Sequence, residues 1–307
     1  MTEKAQQRIW KPAWPCPVGA VLGVHRRGGG DPTYRVLSDR SHARALRTPQ
    51  GPACLRVQPL DHNGEVRAEA WGPGAAWALD ALPMMLGADD DASGFDPQHP
   101  VLAAAWRRHQ HWRLGRTGLV MESLVPTIIE QKVTGQEAFG AFRALVRRYG
   151  EPAPGPHGLM LQPTPAQLRA IPSWEWLRLP VDGGRSRPLL GAARVADALE
   201  RAGSESPEEF DRRLRSLPGI GVWSSAEVRA TALGDADAVS FGDYHVAKDV
   251  GWALTGESVD DDALAELLEP YRPHRHRVQH LVAASGNGKP RRGPRMSPRT
   301  HLPGSTR

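Results

Sequence analysis

The sequence contains little cysteine, only Cys16 and Cys54 among 307 residues. Two thiols cannot provide the ligands of a four-cysteine zinc site or an iron–sulfur cluster, nor the disulfide framework of a small secreted protein. His276 and His280 stand four residues apart, but the sequence supplies no third ligand beside them. We therefore expect two free cysteines, no metal site and no cofactor.

The sequence also lacks long hydrophobic runs. No apolar stretch approaches the roughly 18 to 20 residues that a membrane-spanning helix needs. The first residues, MTEKAQQRIWKP, lack the apolar core of a secretory signal. We expect a cytoplasmic protein that has no membrane partner.

Acidic residues are missing from residues 285–307, which contain six lysines and arginines. The whole chain has a net charge of +5, from 39 basic and 34 acidic residues. Without this segment 33 basic residues face 34 acidic ones, so residues 1–284 carry a net charge of about −1. The segment has almost no bulky apolar side chains, and we predict a disordered basic tail. Any affinity of the remaining chain for nucleic acid must come from local features.

Residues 1–97 are predicted to form a β-rich domain, because they are punctuated by glycine and proline and contain short β-leaning runs. The predicted strands are Val18–His25, Thr33–Leu37, Ala53–Val57 and Glu65–Ala70. Asn63-Gly64 is a typical hairpin signal, and Ala75–Leu86 is a predicted covering helix. An Asp-, Gly- and Pro-rich stretch over residues 87–100 then marks a domain boundary.

Residues 98–284 are predicted to be helical, because apolar residues recur there every three or four positions. Val120, Leu124 and Ile128 form one such stripe, and Ser206 before Pro207 is typical of a helix start. The predicted fold class is α+β, with a mainly helical domain after an antiparallel β-rich domain.

The most informative segment is the turn Leu217-Pro218-Gly219-Ile220-Gly221, which stands between two predicted helices. Two glycines around one apolar residue let the chain reverse with little side chain projecting. Backbone N–H groups of the turn and of the next helix can then converge on one phosphate oxygen, which requires no positive side chain. A simple tight turn between packed helices is the alternative, because Gly-x-Gly turns are common.

The run LPGIGVWSSAEV, residues 217–228, resembles the hairpin of the helix-hairpin-helix (HhH-GPD) DNA glycosylases. About twenty residues later VSFGDYHV, residues 239–246, resembles the loop and helix start that hold the family's catalytic aspartate. Residues 118–133 resemble the family's EQQ-type helix. The resemblance spans residues 98–284, and the β-rich region before it is similar in pattern to the 3-methyladenine glycosylase II branch.

This resemblance implies a DNA-repair enzyme that flips damaged, alkylated purines out of duplex DNA and hydrolyses their N-glycosidic bond. Asp243 would be the catalytic residue, because a carboxylate beside the sugar stabilises an oxocarbenium-like transition state and orients the attacking water. The position of Asp243 also suits an ordinary helix cap, and the two roles are compatible.

The resemblance further implies that Trp223 and Tyr244 form the base pocket, since aromatic faces attract the positive charge of an alkylated purine. Bifunctional relatives have a lysine where this sequence has Trp223, which implies a monofunctional enzyme. The expected contacts to the DNA backbone are Leu217, Gly219, Ile220, Gly221 and Ser224.

Two runs of arginine are either solvated helix faces or contacts to phosphate. They are Arg107, Arg108, Arg113 and Arg116, and then Arg143, Arg147 and Arg148. We expect a monomer that associates with the nucleoid through double-stranded DNA.

Two other functions remain open from the sequence. A non-catalytic DNA-binding protein could keep the hairpin, although the carboxylate of Asp243 would then repel phosphate without benefit. A related glycosylase for oxidised or mismatched bases would share Asp243 and could also lack the lysine.

Overall fold

The computed structural model describes residues 4–60 and 64–290. Its N-terminal part contains a five-stranded antiparallel sheet, in which the strand order is β1-β5-β4-β3-β2. The strands are β1 (Gln6–Trp10), β2 (Tyr34–Val36), β3 (His42–Thr48), β4 (Gly51–Leu60) and β5 (Glu65–Trp71). Along β5 the alternate residues Val66, Ala68 and Ala70 are buried, as period-two packing of one sheet face requires. With the helices that follow, the predicted α+β class is confirmed.

The predicted strands at 33–37, 53–57 and 65–70 are confirmed, whereas that at Val18–His25 is wrong. This segment forms helix α1 (Val18–Leu22) and a 3₁₀ turn (Gly23–His25), because Val18, Val21 and Leu22 are buried together at helical spacing. Strands β1 and β3 were not predicted. Strands β4 and β5 pair up to Leu60 and Glu65 as the predicted hairpin requires, but Asn63 lies outside the described residues.

The predicted covering helix at Ala75–Leu86 is present as two short helices, α2 (Ala75–Asp80) and α3 (Leu82–Met85). Their apolar residues pack with those of α1 and of the sheet in one core. Trp112, Leu114 and Leu119 join the same core from beyond residue 97, so the two predicted domains are packed together.

The helical part contains most of the remaining elements of the described chain. Its helices are α4 (Pro100–His109), α5 (Val120–Glu130), α6 (Gly135–Tyr149), α7 (Pro165–Ala170), α8 (Glu175–Arg178), α9 (Gly183–Arg194), α10 (Ala196–Ala202), α11 (Pro207–Arg215), α12 (Val222–Val228), α13 (Val246–Thr255), α14 (Asp261–Leu268) and α15 (Arg275–Ser285). Shorter elements are the strand pair β6 (Glu151–Pro152) and β7 (Met160–Leu161), a π-helical turn (Arg229–Leu233) and a 3₁₀ turn (Glu269–Tyr271).

Helix α5 is central to the second core, which also contains residues of α6, α9, α10, α11 and α12. Its stripe of Val120, Leu124 and Ile128 is completely buried, as the periodicity predicts. A third core joins α4, α13, α14 and α15. Val239 and Phe241, which precede α13, pack in this third core.

The C-terminal segment begins with ordered residues. Ser285 is the last residue of α15, and the Lys289 amide donates a hydrogen bond to Asp249 Oδ1 over 3.0 Å. The rest of the predicted disordered tail, residues 291–307, lies outside the described residues. Of the described helices the longest has 15 residues, and none combines the length and apolarity needed to cross a membrane.

Candidate functional site

The glycine turn is a helical hairpin that joins α11 to α12. Helix α11 begins at the predicted cap, where Ser206 and Glu209 form a reciprocal capping box. In the turn, Gly219 has a left-handed φ of +86°, and a Cβ built on it would collide with Pro188 of α9. Gly219 is therefore required by its backbone conformation and by its packing.

The hairpin presents its backbone, rather than its larger side chains, to solvent. Gly219 and Gly221 are exposed, whereas Ile220 is buried and Leu217 packs partly against the second core. No side chain of the described chain caps the first N–H groups of α12. These groups are free to bind an anion, as the first turn of a helix does.

The side chain of Gln131, directly after α5, forms hydrogen bonds to the hairpin and to α12. Its Nε2 donates to the Gly219 carbonyl oxygen over 3.0 Å and to Ser224 Oγ over 2.8 Å. The Ser224 side chain is thus buried and engaged, and only its main chain remains for a contact to DNA. Gln131 lies in the segment that resembles the EQQ-type helix, but no role for it was predicted from the sequence.

Asp243 lies in a short loop between the π-helical turn and α13. Its amide donates to the Ser240 carbonyl over 3.1 Å, and the Gly242 amide donates to Asp261 Oδ2 over 2.8 Å. Asp243 Oδ1 accepts hydrogen bonds from the amides of His245 (2.7 Å) and Val246 (3.0 Å), which confirms the helix-cap interpretation. No group in the described part of the chain donates to Oδ2, so half of the carboxylate remains available.

The start of α12 and the Asp243 loop lie side by side. A Cβ built on Gly242 would be 3.9 Å from Trp223 Cβ, in ordinary van der Waals contact. Trp223 is half-buried, and its buried indole N–H has no hydrogen-bond partner among the described residues. The tertiary structure therefore brings two predicted site residues, Trp223 and Asp243, into one neighbourhood.

Tyr244 occupies a different position from Trp223, at the surface. It is 74% exposed, and the Lys248 ammonium lies 3.7 Å from the centre of its ring. A ring in this position is at the rim of the site rather than in an enclosed pocket. Its role in holding a base stays a prediction.

Glu227, on α12, adds a carboxyl group that the sequence analysis did not identify. Its Oε1 accepts a hydrogen bond from Ser240 Oγ over 2.6 Å, and that hydroxyl accepts one from Gln279 Nε2 over 3.0 Å. Burial raises the pKa of Glu227 to about 7, against the opposing effect of the Ser240 hydrogen bond. The neighbouring carboxylates of Glu130 and Asp243 raise it further, whereas Arg27 lowers it.

The first basic run divides into two parts. Arg116 pairs with Asp89 over 2.6 Å, and the Arg113 guanidinium lies 5.7 Å from the centre of the Trp14 ring. Arg107 and Arg108 are exposed on α4, so they are the members best placed for a solvent-side contact. In the second run, Arg148 pairs with Glu175 over 2.7 Å and Arg147 donates to the Gly30 carbonyl over 3.4 Å.

The two spaced histidines serve packing. His276 Nδ1 is 3.0 Å from the Ala238 carbonyl oxygen, and His280 stacks on Trp112 with ring centres 3.6 Å apart. Burial lowers the pKa of His276 to about 4 and that of His280 to about 3. Both cysteines are free, as predicted.

The chain is similar in sequence to curated proteins and in fold to solved structures. No family model matches the chain. The "probable bifunctional transcriptional activator/DNA repair enzyme AlkA" of Mycobacterium tuberculosis is 25% identical over 284 residues, which are 87% of this chain and 54% of that protein. The chain thus spans about half the length of the curated relatives it matches.

Solved structures share the fold over almost the whole chain. A 3-methyladenine DNA-glycosylase from Archaeoglobus fulgidus superposes with a TM-score of 0.74 at 18% identity, covering 91% of this chain and 98% of that one. An 8-oxoguanine glycosylase/lyase of Clostridium acetobutylicum, in complex with double-stranded DNA, superposes with a TM-score of 0.68 at 13% identity. It covers 94% of this chain and 100% of its own. The chain is thus similar in sequence to a curated DNA repair enzyme, and it shares the fold of solved DNA glycosylases, as the resemblance to the helix-hairpin-helix (HhH-GPD) DNA glycosylases predicts.

Proposed function

We propose that the protein is a monofunctional DNA glycosylase that hydrolyses the N-glycosidic bond of damaged bases, principally alkylated purines, in duplex DNA. The observation that carries this proposal is the proximity of the Asp243 loop to the start of α12. Gly242 precedes Asp243, and a Cβ built on it would be 3.9 Å from the Cβ of Trp223, which lies two residues after the hairpin's last glycine. A strand held by the hairpin backbone would therefore pass close to both side chains.

Asp243 is suited to the chemistry of glycosidic cleavage. As the base departs, positive charge develops on the sugar, and a fixed carboxylate stabilises that charge. The two amide hydrogen bonds to Oδ1 hold the group rigidly, so it needs no reorganisation during the reaction. Oδ2 is left to face the sugar or to orient the attacking water.

Two observations favour alkylated purines as the substrate class. They are the indole ring of Trp223 beside Asp243 and the names of the similar proteins. An indole face attracts the positive charge that alkylation places on a purine. The Archaeoglobus fulgidus protein is named for 3-methyladenine, and the Mycobacterium tuberculosis relative is named as a DNA repair enzyme. The 8-oxoguanine glycosylase/lyase of similar fold makes oxidised purines the second candidate class.

Absence of lyase activity follows from the positions of the lysines. A lyase needs an amine that attacks the sugar. Trp223 stands at the position where the bifunctional relatives have that lysine. Lys248 follows Asp243 closely in the chain, but its ammonium lies over the Tyr244 ring. We therefore expect abasic products, strand breaks only after alkali, and no covalent complex on treatment with borohydride.

The test uses duplexes that each contain one defined methylated, deaminated or oxidised base. Asp243→Asn should lower base release by at least about 100-fold, the usual effect of removing one charge-stabilising group, while binding of an abasic duplex is retained. Asp249→Asn is the matched control, because Asp249 lies on α13, six residues after Asp243. This variant should keep full activity. Base release by Asp243→Asn at the wild-type rate would refute the assignment of Asp243. Binding without release by the wild-type protein would instead favour a non-catalytic DNA-binding protein.

A further inference from the structure

Glu227 shares one face of α12 with Trp223. The two residues are four positions apart, and residues at this spacing on a helix are neighbours. Trp223 lies close to the Asp243 loop, since a Cβ built on Gly242 would be 3.9 Å from Trp223 Cβ, and Glu227 accepts a hydrogen bond from Ser240 before the same loop. The carboxyl group therefore lies on the side of α12 that faces Asp243.

The carboxyl group of Glu227 is held by one oxygen and open at the other. Oε1 accepts from Ser240 Oγ, whose position is set in turn by Gln279, because the Ser240 amide donates to Gln279 Oε1 over 3.2 Å. Oε2 accepts no hydrogen bond from any residue that the structure describes. The residue is partly exposed, so it is not sealed within the core. The spare acceptor can take a hydrogen bond from a donor outside the protein.

The charges around Glu227 favour a positive ligand. The Arg27 guanidinium lowers the pKa of Glu227, but it is already paired with Glu130 over 2.6 Å. The carboxyl groups of Glu130 and Asp243 act in the opposite sense and raise the pKa of Glu227, so these acidic neighbours favour a positive charge beside it. A neutral base gains little from this field, whereas a base with a formal positive charge is stabilised by it.

We propose that Glu227 is a specificity-determining residue, which selects cationic alkylated bases by accepting a hydrogen bond from an N–H group on the edge of the flipped base. This inference rests on the proposed glycosylase function and names the residue that chooses among its substrates. In this arrangement Trp223 contacts the face of the flipped base, and Glu227 accepts a hydrogen bond from its edge. Burial raises the pKa of Glu227 in the free protein, and a cation bound beside the carboxyl would lower this pKa again by favouring the ionised form.

The experiment compares Glu227→Gln with the wild-type protein on two duplexes. One contains 7-methylguanine, which is cationic and has N–H groups on its edge, and the other contains 1,N6-ethenoadenine, which is neutral and has none there. The glutamine keeps an oxygen for Ser240 but has no charge. Glu266→Gln, an exposed position on α14, is the matched control, and melting temperatures report whether each variant folds.

We expect Glu227→Gln to release 7-methylguanine about 10- to 100-fold more slowly, the usual effect of losing a hydrogen bond to a charged group. Release of ethenoadenine should stay within about threefold of the wild-type rate, and Glu266→Gln should match the wild type on both. The charges of Glu130, Asp243 and Arg27 are common to both proteins, so the comparison isolates Glu227.

Three results would overturn the inference. Equal release of 7-methylguanine by variant and wild type would leave the glycosylase proposal intact and remove Glu227 from recognition. Equal losses on both duplexes by a folded variant would assign Glu227 to the general chemistry, and wild-type release of neutral bases alone would exclude selection of cations. If the wild type releases no base from any duplex of the panel, the proposed function itself fails.

Discussion

The two ends of helix α5 contain similar polar residues but use them differently. At its N-terminal end, the amides of Val120 and Met121 donate to the carboxylate of Glu200 over 2.9 and 2.8 Å. The Arg47 amide donates to Glu122 over 3.1 Å, and the Gln162 side chain donates to the Met121 carbonyl over 3.0 Å. This end is joined to the N-terminal sheet and to α10 by bonds within the protein.

At the C-terminal end of α5, Gln131 holds the hairpin, while Glu130 and Arg27 pair beside Glu227. Here the first amides of α12, Asp243 Oδ2 and Glu227 Oε2 have no hydrogen-bond partner within residues 4–60 and 64–290. The cavity at the other end, which is lined by Arg44, Glu122 and Ser123, has a volume of about 20 Å³ and cannot admit a base. The candidate site is therefore distinguished by unpaired hydrogen-bonding groups beside a surface turn, rather than by buried charge as such.

The largest effect should come from the hairpin at the C-terminal end. Gly219→Ala forces a left-handed φ on alanine and drives its Cβ into Pro188, so we expect a loss of about 2 kcal/mol or more in the free energy of unfolding. Binding to an abasic duplex should weaken as the turn shifts. Urea denaturation and fluorescence anisotropy measure the two effects.

Gly221→Ala is the control for that substitution. Its φ is −100°, and a Cβ there meets nothing within 4 Å, so the stability should change by less than about 1 kcal/mol. Equal destabilisation of the two variants would contradict the structural requirement for glycine at position 219.

Replacing one glutamine at each end of α5 should have an intermediate effect and should distinguish the functions of the two ends. Gln131→Ala leaves the buried Ser224 hydroxyl and the Gly219 carbonyl without their donor, at a cost of about 1–3 kcal/mol, and should weaken duplex binding. Gln162→Ala removes a comparable amide at the other end and should destabilise the protein without changing DNA affinity. A similar loss of DNA affinity in both variants would mean that the two ends of α5 are not functionally distinct.

The smallest expected effect is a change in the pH dependence of stability when Glu122 is replaced. Burial raises the pKa of Glu122 to about 7, although Arg44 and the Arg47 amide oppose the shift. The folded protein therefore binds this proton more tightly than the unfolded chain, and stability falls as the pH rises from about 4.5 to 7. Glu122→Gln should lose this contribution, so its melting temperature relative to the wild type should increase between pH 5 and 8. A difference that is constant with pH would exclude a raised pKa in the folded state.

Elements that depend on local signals were predicted well. The start of α11 follows from Ser206 and Pro207, and the reversal at Gly219 follows from its two glycines. The cap at Asp243 follows from its place before a helix. Each of these depends on hydrogen bonds or torsion angles within a few residues, which neighbours in the chain determine.

The failures concern segments whose local signals are ambiguous. The run Val18–His25 suits a strand by composition, but burial against the sheet and α2 selects the helical spacing of Val18, Val21 and Leu22. Strand β3 contains alanine and arginine and has weak β propensity, yet it pairs with β4 along its whole length. Tertiary packing outweighs propensity in both cases.

Short-range chemistry along the chain fixes where it turns, which helices are amphipathic, and that an aspartate stands at the start of the helix after the hairpin, so these features can be predicted from the residues. Which polar groups meet depends instead on how distant segments pack. Gln131 reaches Gly219 across 88 residues, and Ser240 reaches Glu227 from the next loop. Partners of this kind depend on how the helices pack, and that packing is a property of the whole core.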